Sequence, residues 1–375
     1  MQKNQKIYPP LNHIPADILC AQDYERLASS FIPLDRLAYI SGGSGDETTL
    51  VENCRSFSEF SIIPRSLKDV SKGHTGLNIM GKDFVHPVLL APVAHQALVH
   101  PEAERATAYA AEATDSCMIA STLSSFTLED IAGNSSHRNW FQIYFQPNDE
   151  DTLSLMKRAI NAGYHCIVLT VDASIQVPSV RALQAKFSFP EHVKAANIIH
   201  QTVQEKPNLQ SGQSHIFQHY MQTAATRERV KKLIEASDIP VVVKGVMSED
   251  DAMEYCALGA AGIIVSNHGG RTLDGVPSSL SVLSKIRRAV GTDYPLLFDS
   301  GIRSGRDVFK AIALGADAVL IGRLQIYALS VAGALGVAHM VKLLREELEL
   351  CMAMTGCSSI DEIKKTKLHK KMEKL

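Results

Sequence analysis

The sequence predicts an α/β protein built on an eight-stranded (β/α)8 barrel of the TIM type, with an N-terminal helical extension and a long lid in its fourth loop. Eight short apolar runs lack polar alternation, which indicates strands buried on both faces. Amphipathic stretches separate the runs, and several of them end in Gly, a common helix stop. The eight units follow one another in a single series. This order favours a closed barrel over the alternative, a doubly wound open sheet.

The first part of the chain is expected to be helical and to precede the barrel. Residues 19–31, 33–40 and 45–57 place apolar side chains at helical spacing, and a Gly-rich turn occupies residues 41–47. We therefore predict that residues 1–70 form a helical segment packed on the barrel. Residues 71–375 then form the barrel itself.

The barrel strands are predicted from apolar runs that begin at residue 88. Helix candidates lie between the runs, for example at residues 100–113, 149–163 and 304–316. The runs are VLLAPVA (88–94), CMIAST (117–122), WFQIYF (140–145), CIVLTVD (166–172), PVVVKGV (240–246), GIIVSNH (262–268), PLLFDSG (295–301) and AVLIGR (318–323).

One connection, residues 173–226 between the fourth and fifth runs, is far longer than the others. Loops longer than about 12–15 residues are usually lids, binding loops or disordered segments. Because this loop leaves the carboxyl end of a barrel strand, the functional interpretation is a mobile lid over the catalytic face. A plain surface insertion is the alternative.

Charge and cysteine content exclude several classes of protein. Lys and Arg number 38 and Asp and Glu 40, for a net charge of −2, and no basic block indicates a nucleic-acid partner. The seven cysteines include no CxxC, which predicts free thiols in a reducing compartment and no disulfide framework or metal site. We find no signal peptide and no run of 18 apolar residues, so no membrane partner is expected and a cytoplasmic location is the default.

Functional side chains of such barrels lie at the carboxyl ends of the strands. Polar and ionisable residues gather at these positions here, which ordinary buried strands rarely show. Two pairs, Gln142 with Tyr144 and Thr170 with Asp172, are each two residues apart and so share a face. The candidates are Pro92, Val93, Ala94, Ser121, Gln142, Tyr144, Thr170, Asp172, Lys244, Ser266, Asn267, His268, Asp299, Gly322 and Arg323.

The last two loops predict a phosphate site. DSGIRSG places Arg303 just before a helix, whose N-terminus favours an anion, and IGR adds Arg323. The alternative is that the glycines only form tight turns. Lys244, at the end of the fifth run, is a candidate either for a Schiff base or for stabilising negative charge on a cofactor.

SNHGGRTLDG (266–275) is the most informative segment. His268 ends a buried run, two glycines allow a sharp turn, and Arg271 follows three residues later. A His beside an Arg suits proton abstraction next to a bound carboxylate. A structural histidine is the alternative, but Asp172, Lys244 and Tyr144 nearby favour catalysis.

With these residues identified, SNHGGRTLD, FDSGIRSGRDVFKAIALGADAVLIGR, VVVKGV, WFQIYF and LTVD resemble the FMN-dependent 2-hydroxy-acid oxidase and dehydrogenase family. That family includes glycolate oxidase, lactate oxidase and mandelate dehydrogenase. The resemblance covers roughly residues 20 to 360. YISGGSGDETTL and APVAHQALVHPEAE are most similar to the lactate-oxidase branch.

The resemblance implies an FMN cofactor, a small carboxylic acid substrate, O2 as electron acceptor with H2O2 as product, and a homotetramer. It implies that His268 takes a substrate proton with Asp172 orienting it, and that Lys244 stabilises the reduced flavin. Arg271, Tyr39 and Tyr144 would bind the substrate. The implied FMN contacts are Pro92, Val93, Ala94, Ser121, Gln142, Thr170, Lys244 and Ser266 for the ring, and Asp299, Gly301, Arg303, Gly322 and Arg323 for the ribityl chain and phosphate.

Two departures from the family pattern concern the substrate. The family places an arginine seven residues beyond the Asp of TVD, where this chain has Ser179. Arg181 substitutes for it if that segment is extended, because residues two apart then share a side. Leu123 stands where an aromatic residue is usual, which widens the pocket. Together they predict a substrate other than lactate or glycolate, either bulkier or a 2-amino acid.

Three alternatives to a hydroxy-acid oxidase stay open at this point. One is a flavin dehydrogenase or an amino-acid-oxidising member of the same family. Another is a catalytically impaired FMN-binding homologue. The third is a different phosphate-binding barrel enzyme, such as an isomerase or a nucleotide dehydrogenase, which would not need His268, Arg271 and Asp172 together.

Overall fold

Eight parallel strands form the centre of the molecule, in a computed structural model that describes residues 6–134, 139–175, 177–198 and 209–371. The strands are β1 (Val88–Leu90), β2 (Ile119–Ser121), β3 (Trp140–Ile143), β4 (Ile167–Thr170), β5 (Val241–Val246), β6 (Gly262–Val265), β7 (Leu296–Phe298) and β8 (Ala318–Ile321). Their spatial order is β1-β8-β7-β6-β5-β4-β3-β2, and a bridge from Leu90 to Met118 closes the ring between β1 and β2. This confirms the predicted (β/α)8 barrel.

Alternate residues of each strand enter two different apolar clusters. Leu89, Val168 and Val242 belong to a smaller cluster inside the barrel, whereas Leu90 and Leu169 pack outward against the helices. Both faces of the strands are therefore buried. This explains why the sequence shows continuous apolar runs instead of alternation.

The helices that surround the barrel follow most strands in turn, and side chains cap many of their N-termini. Ser248, Ser304 and Thr226, for example, each accept a hydrogen bond from a backbone N–H of the first turn. These helices are Ala103–Ala113, Leu128–Ala132, Asp149–Asn161, Arg227–Glu235, Glu249–Ala257, Ser279–Val290, Gly305–Ala313, Arg323–Thr355 and Ile360–Lys364.

Helix Arg323–Thr355 is long and apolar enough to satisfy a length and hydropathy test for a membrane span, although the sequence shows no run of 18 apolar residues. In its most apolar stretch of 18 residues, 78% is buried inside the protein. Its backbone also departs from helical geometry at Ala332 and Gly333. These properties are typical of a core helix.

The N-terminal segment contains three helices, Asp23–Ala28, Leu34–Ser41 and Thr48–Arg55, as predicted. Its short 3-10 turn Ser56–Glu59 leads to a two-residue strand, Phe60–Ser61, which pairs with His369–Lys370 near the other end of the chain. A second small hairpin, Leu77–Ile79 with Lys82–Phe84, precedes the barrel. All seven cysteines are free thiols, as predicted.

The long fourth loop is partly helical where it is described. It contains helices Val180–Gln184 and His215–Gln218 and the 3-10 turn Tyr220–Thr223. A second 3-10 turn, Gln96–Leu98, follows β1. The predicted polar middle of the lid, residues 199–208, lies outside the described residues. The mobility predicted for the lid therefore remains a prediction.

Candidate active site

Two adjoining cavities open at the carboxyl end of the barrel. The first lies between the N-terminal segment and the loops that follow β1, β7 and β8, and the second lies under the fourth loop. Each cavity has its own lining, but a common wall separates them. That wall consists of Tyr39, Leu123, Tyr144, His268 and Arg271.

His268, in the common wall, forms a hydrogen-bonded pair with Asp172. The Nδ1 atom of His268 lies 2.9 Å from Oδ1 of Asp172, so the other ring nitrogen, Nε2, is left to accept a proton. His268 has a left-handed backbone (φ 58°), and its N–H donates to Ser266 Oγ. A Cβ on Gly245 would lie 2.5 Å from Asp172, so only glycine admits the carboxylate here.

Asp172 is an anion in this setting. Burial raises the pKa of its carboxyl group, but the nearby His268 and Lys244 outweigh burial and hold the pKa below the usual value. An ionised carboxylate that receives the Nδ1–H bond stabilises an imidazolium ion. His268 is therefore equipped to act as a general base.

Lys244 is a buried cation, with an exposed fraction of 3%. Its Nζ lies 3.0 Å from Asp299 Oδ2 and donates to Ser266 Oγ at 2.9 Å. Burial lowers the pKa of Lys244, but Asp299 and Asp172 reverse that effect and leave it above its usual value. A protonated amine is a poor nucleophile. Of the two predicted roles, the geometry favours stabilisation of negative charge over a Schiff base.

Two arginines at the mouth have no carboxylate partner among the described residues. Arg271 donates to the carbonyl oxygens of Tyr39 and Gly42, and its guanidinium group lies 4.9 Å from the Tyr39 ring centroid. Arg323 donates to the carbonyls of Ile40, Gly42 and Gly269. Burial, and secondly the charge of Arg271, lowers the pKa of Arg323 to about 10. Partly buried guanidinium groups without a carboxylate partner indicate an anion site.

The two tyrosines predicted to bind substrate lie on the common wall. Tyr144 is neutral, because burial and the charge of Asp172 raise the pKa of its hydroxyl group. Tyr39 stacks on Phe187 of the fourth loop, with ring centroids 4.4 Å apart. Both tyrosines, like His268 and Arg271, line both cavities.

The residues present fit the FMN that the resemblance implies. Gln142 Nε2 and Thr170 Oγ1 are buried and have no hydrogen-bonding partner within the described chain, as expected where a ligand completes the site. Arg323 supplies unpaired positive charge for a phosphate. A Cβ on Gly322 would meet nothing within 4 Å, so this position leaves open space beside Arg323.

Most of the predicted site residues meet at the first cavity. Gln142, Ser266 and Asp172 line neither cavity, but each hydrogen-bonds to a side chain that lines the first, namely Ser121, Lys244 and His268 in that order. Thr170 lines the second cavity, and Arg303 lines the first while paired with Glu25 at 2.7 Å. Those that line the first cavity are Tyr39, Pro92, Val93, Ala94, Ser121, Tyr144, Lys244, His268, Arg271, Asp299, Gly301, Arg303, Gly322 and Arg323.

Arg181 is the predicted substrate-binding residue that the structure does not bring to either cavity. The extended conformation on which its predicted role depended is not formed, because helix Val180–Gln184 begins beside it and Ser179 caps that helix. Residues two apart on a helix point in different directions. Ser179 lines the second cavity, whereas Arg181 forms an ion pair with Glu47 and donates to Ser41.

Several residues of the site have no clear signal in the sequence. Phe187 and Phe189 line the second cavity from the long loop, where the pattern predicts only a lid. Asn53, which the sequence does not single out, exchanges two hydrogen bonds of 2.8 Å with the predicted residue Asn267 and holds the His268 loop to the N-terminal segment. His95 lines the first cavity, and the only indication of this in the sequence is its position directly after the first predicted run.

The chain is similar to a family of FMN-dependent enzymes over most of its length. The model of the FMN-dependent dehydrogenase family matches residues 28–370. The chain is 53% identical to an L-lactate oxidase of Alicycliphilus denitrificans over 94% of this chain and 97% of that one. It is 40% identical to a 4-hydroxymandelate oxidase of Amycolatopsis orientalis, over 90% and 94% of the two chains.

A more distant enzyme and a solved structure agree with these relatives. A peroxisomal (S)-2-hydroxyacid oxidase of Arabidopsis thaliana is 36% identical, over 96% of this chain and 98% of that one. The crystal structure of mandelate oxidase with (S)-2-phenylpropionate superposes with a TM-score of 0.86 and 37% identity, covering 94% and 99% of the chains.

Proposed function

The chain belongs to the FMN-dependent dehydrogenase family, and we propose that its substrate is an L-2-hydroxy monocarboxylic acid with an apolar 2-substituent larger than a methyl group. The chain is an FMN-dependent 2-hydroxy-acid oxidase, which converts the hydroxy acid and O2 to the 2-keto acid and H2O2. The substrate class is the part that we infer here.

FMN has a defined set of contacts in this proposal. Arg323, Arg303, Gly301 and Gly322 would hold the ribityl chain and phosphate. Pro92, Val93, Ala94, Ser121, Gln142, Thr170, Lys244, Ser266 and Asp299 would surround the rest of the cofactor. When bound, FMN accepts the two electrons that leave the substrate α-carbon.

One observation carries the assignment of substrate contacts, namely the His268–Asp172 pair beside the unpaired Arg271 in the common wall. Arg271 binds the substrate carboxylate, and Tyr39 and Tyr144 orient the carboxylate and the hydroxyl group. His268 Nε2 takes the hydroxyl proton as the α-carbon is oxidised. Asp172 stabilises the resulting imidazolium ion.

The second cavity supports the proposed substituent. Its lining beyond the common wall is mostly apolar and includes Ile175, Val177, Leu183, Phe187 and Phe189. Among the described residues that line it, Arg271 is the only permanent cation. A second carboxylate on the substrate would therefore be buried without a partner, which disfavours dicarboxylic hydroxy acids.

Position 179 supports the same conclusion. The Ser179 hydroxyl group caps helix Val180–Gln184, and the guanidinium group nearest in sequence, Arg181, is paired with Glu47. The substrate carboxylate consequently has one arginine, Arg271, instead of two. Lactate offers almost nothing else to bind, whereas an apolar substituent gains about 25 cal/mol for each Å² that it buries.

Anaerobic mixing of the purified holoenzyme with single compounds tests this proposal. The panel is L-lactate, L-2-hydroxyisocaproate, L-mandelate, L-malate and the 2-amino acid L-leucine, and the readout is the rate at which the visible flavin absorbance is lost. We expect the apolar hydroxy acids to be fastest and malate slowest. Lactate as the best substrate by kcat/KM, or leucine faster than its hydroxy analogue, would contradict the proposed class.

We also propose that the enzyme is a cytoplasmic homotetramer. The family resemblance supports the tetramer, and the free thiols support a reducing compartment. Light scattering coupled to gel filtration tests the assembly, for which a monomeric mass is the contrary result. Localisation of a tagged full-length chain tests the compartment.

A further inference from the structure

The first cavity contains two histidines in opposite electrostatic settings. His95 and His268 both line it, and both have left-handed backbones, with φ of 54° and 58°. His268 is paired with the Asp172 carboxylate. The Nδ1 atom of His95 has no hydrogen-bonding partner among the described residues.

The His95 ring is held in one place by its surroundings. Its backbone N–H donates to the Leu123 carbonyl at 3.0 Å, and its own carbonyl accepts from Leu98 N–H at 3.0 Å. The ring lies 4.7 Å from that of Phe189, centroid to centroid. A non-glycine residue in a left-handed conformation, held by neighbours on both sides, is typical of a functional position.

One polar atom of this ring, Nδ1, lacks a partner where a partner is expected. Nδ1 is buried and makes no hydrogen bond to the part of the chain that is described. Leaving a buried polar atom unsatisfied costs free energy, so a ligand of the cavity is the natural partner. No reaction step of the oxidation needs a second base, which leaves the role of His95 unassigned.

Burial also determines the charge of His95. Burial lowers the pKa of His95 to about 4, so its imidazole is neutral near pH 7. The cavity already contains Lys244, Arg271, Arg303 and Arg323. A neutral imidazole adds a hydrogen-bonding group without adding a further positive charge.

We propose that His95 is a binding residue for FMN, and that its ring, packed against Phe189, hydrogen-bonds to the cofactor while His268 alone serves as the base. The inference rests on FMN occupying the first cavity. It predicts that the imidazole nitrogens, and not the shape of the ring, contribute to cofactor affinity.

Two substitutions separate these contributions. His95→Phe keeps a flat ring against Phe189 and removes both nitrogens. His95→Asn removes the ring but keeps a polar group near the position of Nδ1, and Asn tolerates a left-handed backbone. The measurements are the dissociation constant of FMN for the apoprotein, by flavin fluorescence quenching, and the visible spectrum of the bound flavin.

We expect His95→Phe to weaken FMN binding about 3- to 10-fold, the effect of one hydrogen bond, and to shift the flavin absorbance bands. His95→Asn should bind within about 3-fold of the wild type. The reverse order, with His95→Phe equal to wild type and His95→Asn weaker, would show that the ring only packs and would overturn the proposal. Wild-type apoprotein that binds no FMN would instead contradict the cofactor assignment.

A second measurement covers the case in which a variant fails to fold. In 15N-histidine spectra of the wild-type protein, the assigned His95 signals should not titrate between about pH 5 and pH 8. They should move when FMN is added to the apoprotein. Signals that stay in place on FMN addition would exclude a hydrogen bond from this ring to the cofactor.

Discussion

The two cavities at the barrel mouth are built by different physical means. Hydrogen bonds and charges define the first cavity, where Arg323 donates to three backbone carbonyls and Lys244 pairs with Asp299. Aromatic and aliphatic contacts define the second, where Phe187 stacks on Tyr39 at 4.4 Å and meets Phe189 at 5.1 Å. Directional bonds hold a fixed geometry, whereas apolar packing admits side chains of different shape. The first cavity is therefore suited to holding the cofactor for the oxidation, and the second cavity is suited to selecting the substrate.

The common wall belongs to both cavities, so its position relative to the N-terminal segment affects both of them. Asp274 ties the N-terminal segment to the His268 loop, because its carboxylate accepts N–H bonds from Thr49 at 2.8 Å and from Asp46 at 2.9 Å. The Asn53–Asn267 pair strengthens the same junction. Substitutions of His268, its partner Asp172 or Arg271 should consequently impair the reaction of every substrate, whereas a substitution of Ser179, beyond the wall, should change the choice between substrates. The following predictions test that division in order of expected effect.

His268→Asn should cause the largest loss. Removing the general base should slow anaerobic flavin reduction about 10²- to 10⁴-fold, and Asn tolerates the left-handed backbone at this position. Stopped-flow absorbance measures the rate. FMN content should equal that of the wild type, which serves as the control, and a loss of less than tenfold would remove His268 from its assigned role.

Asp172→Asn should follow, with turnover reduced about 10²-fold because the imidazolium ion loses its anionic partner. The pKa of Asp172 is lowered in the folded protein, so its stabilising effect is present above the unfolded pKa of about 4 and disappears as pH falls through the folded value. The Tm gap between wild type and variant should be constant from pH 6 to pH 8 and narrow only below about pH 4. A gap that closes near neutral pH would contradict this assignment.

Arg271→Lys should raise KM about 10- to 100-fold, because a charge-assisted hydrogen bond to the substrate carboxylate contributes about 1.5–3 kcal/mol. Lysine keeps the charge but loses the planar pair of donors. FMN affinity should change little, since Arg323 remains. Steady-state kinetics with the best substrate provide the measurement. An unchanged KM would show that the carboxylate binds elsewhere.

Ser179→Arg should shift the substrate preference of the enzyme toward lactate. A guanidinium group at the mouth of this cavity should improve kcat/KM for lactate about tenfold, and it should occupy space needed by larger substituents. The ratio of kcat/KM for lactate to that for 2-hydroxyisocaproate is the readout. Ser179→Gln, which has similar length and no charge, is the matched control. An unchanged kcat/KM for lactate would contradict the explanation based on the missing arginine.

Arg181→Ala should have the smallest effect. Its ion pair with Glu47 is half-exposed, with 48% of the Arg181 side chain accessible, and such pairs contribute about 0–1 kcal/mol. We expect kcat/KM to stay within about 3-fold of the wild type. A loss of tenfold or more in substrate affinity would mean that Arg181 reaches the carboxylate after all.

Much of the site could be predicted because its residues lie at strand ends. Once buried runs are recognised, the carboxyl end of each strand is known, and parallel strands in a barrel bring those ends together. Lys244, His268 and Asp299 were found in this way. The prediction for Arg181 was different in kind, because it assumed a backbone conformation in a loop without a clear pattern.

The sequence by itself determined the barrel, the three N-terminal helices and the group of polar side chains at the mouth, because these follow from hydrophobic pattern and chain order. Only the tertiary structure decided which loop residues meet that group. Arg181 pairs with Glu47, 134 positions away, and Phe187 and Phe189 cover Tyr39. Such contacts depend on where distant segments pack, and no local periodicity encodes that packing.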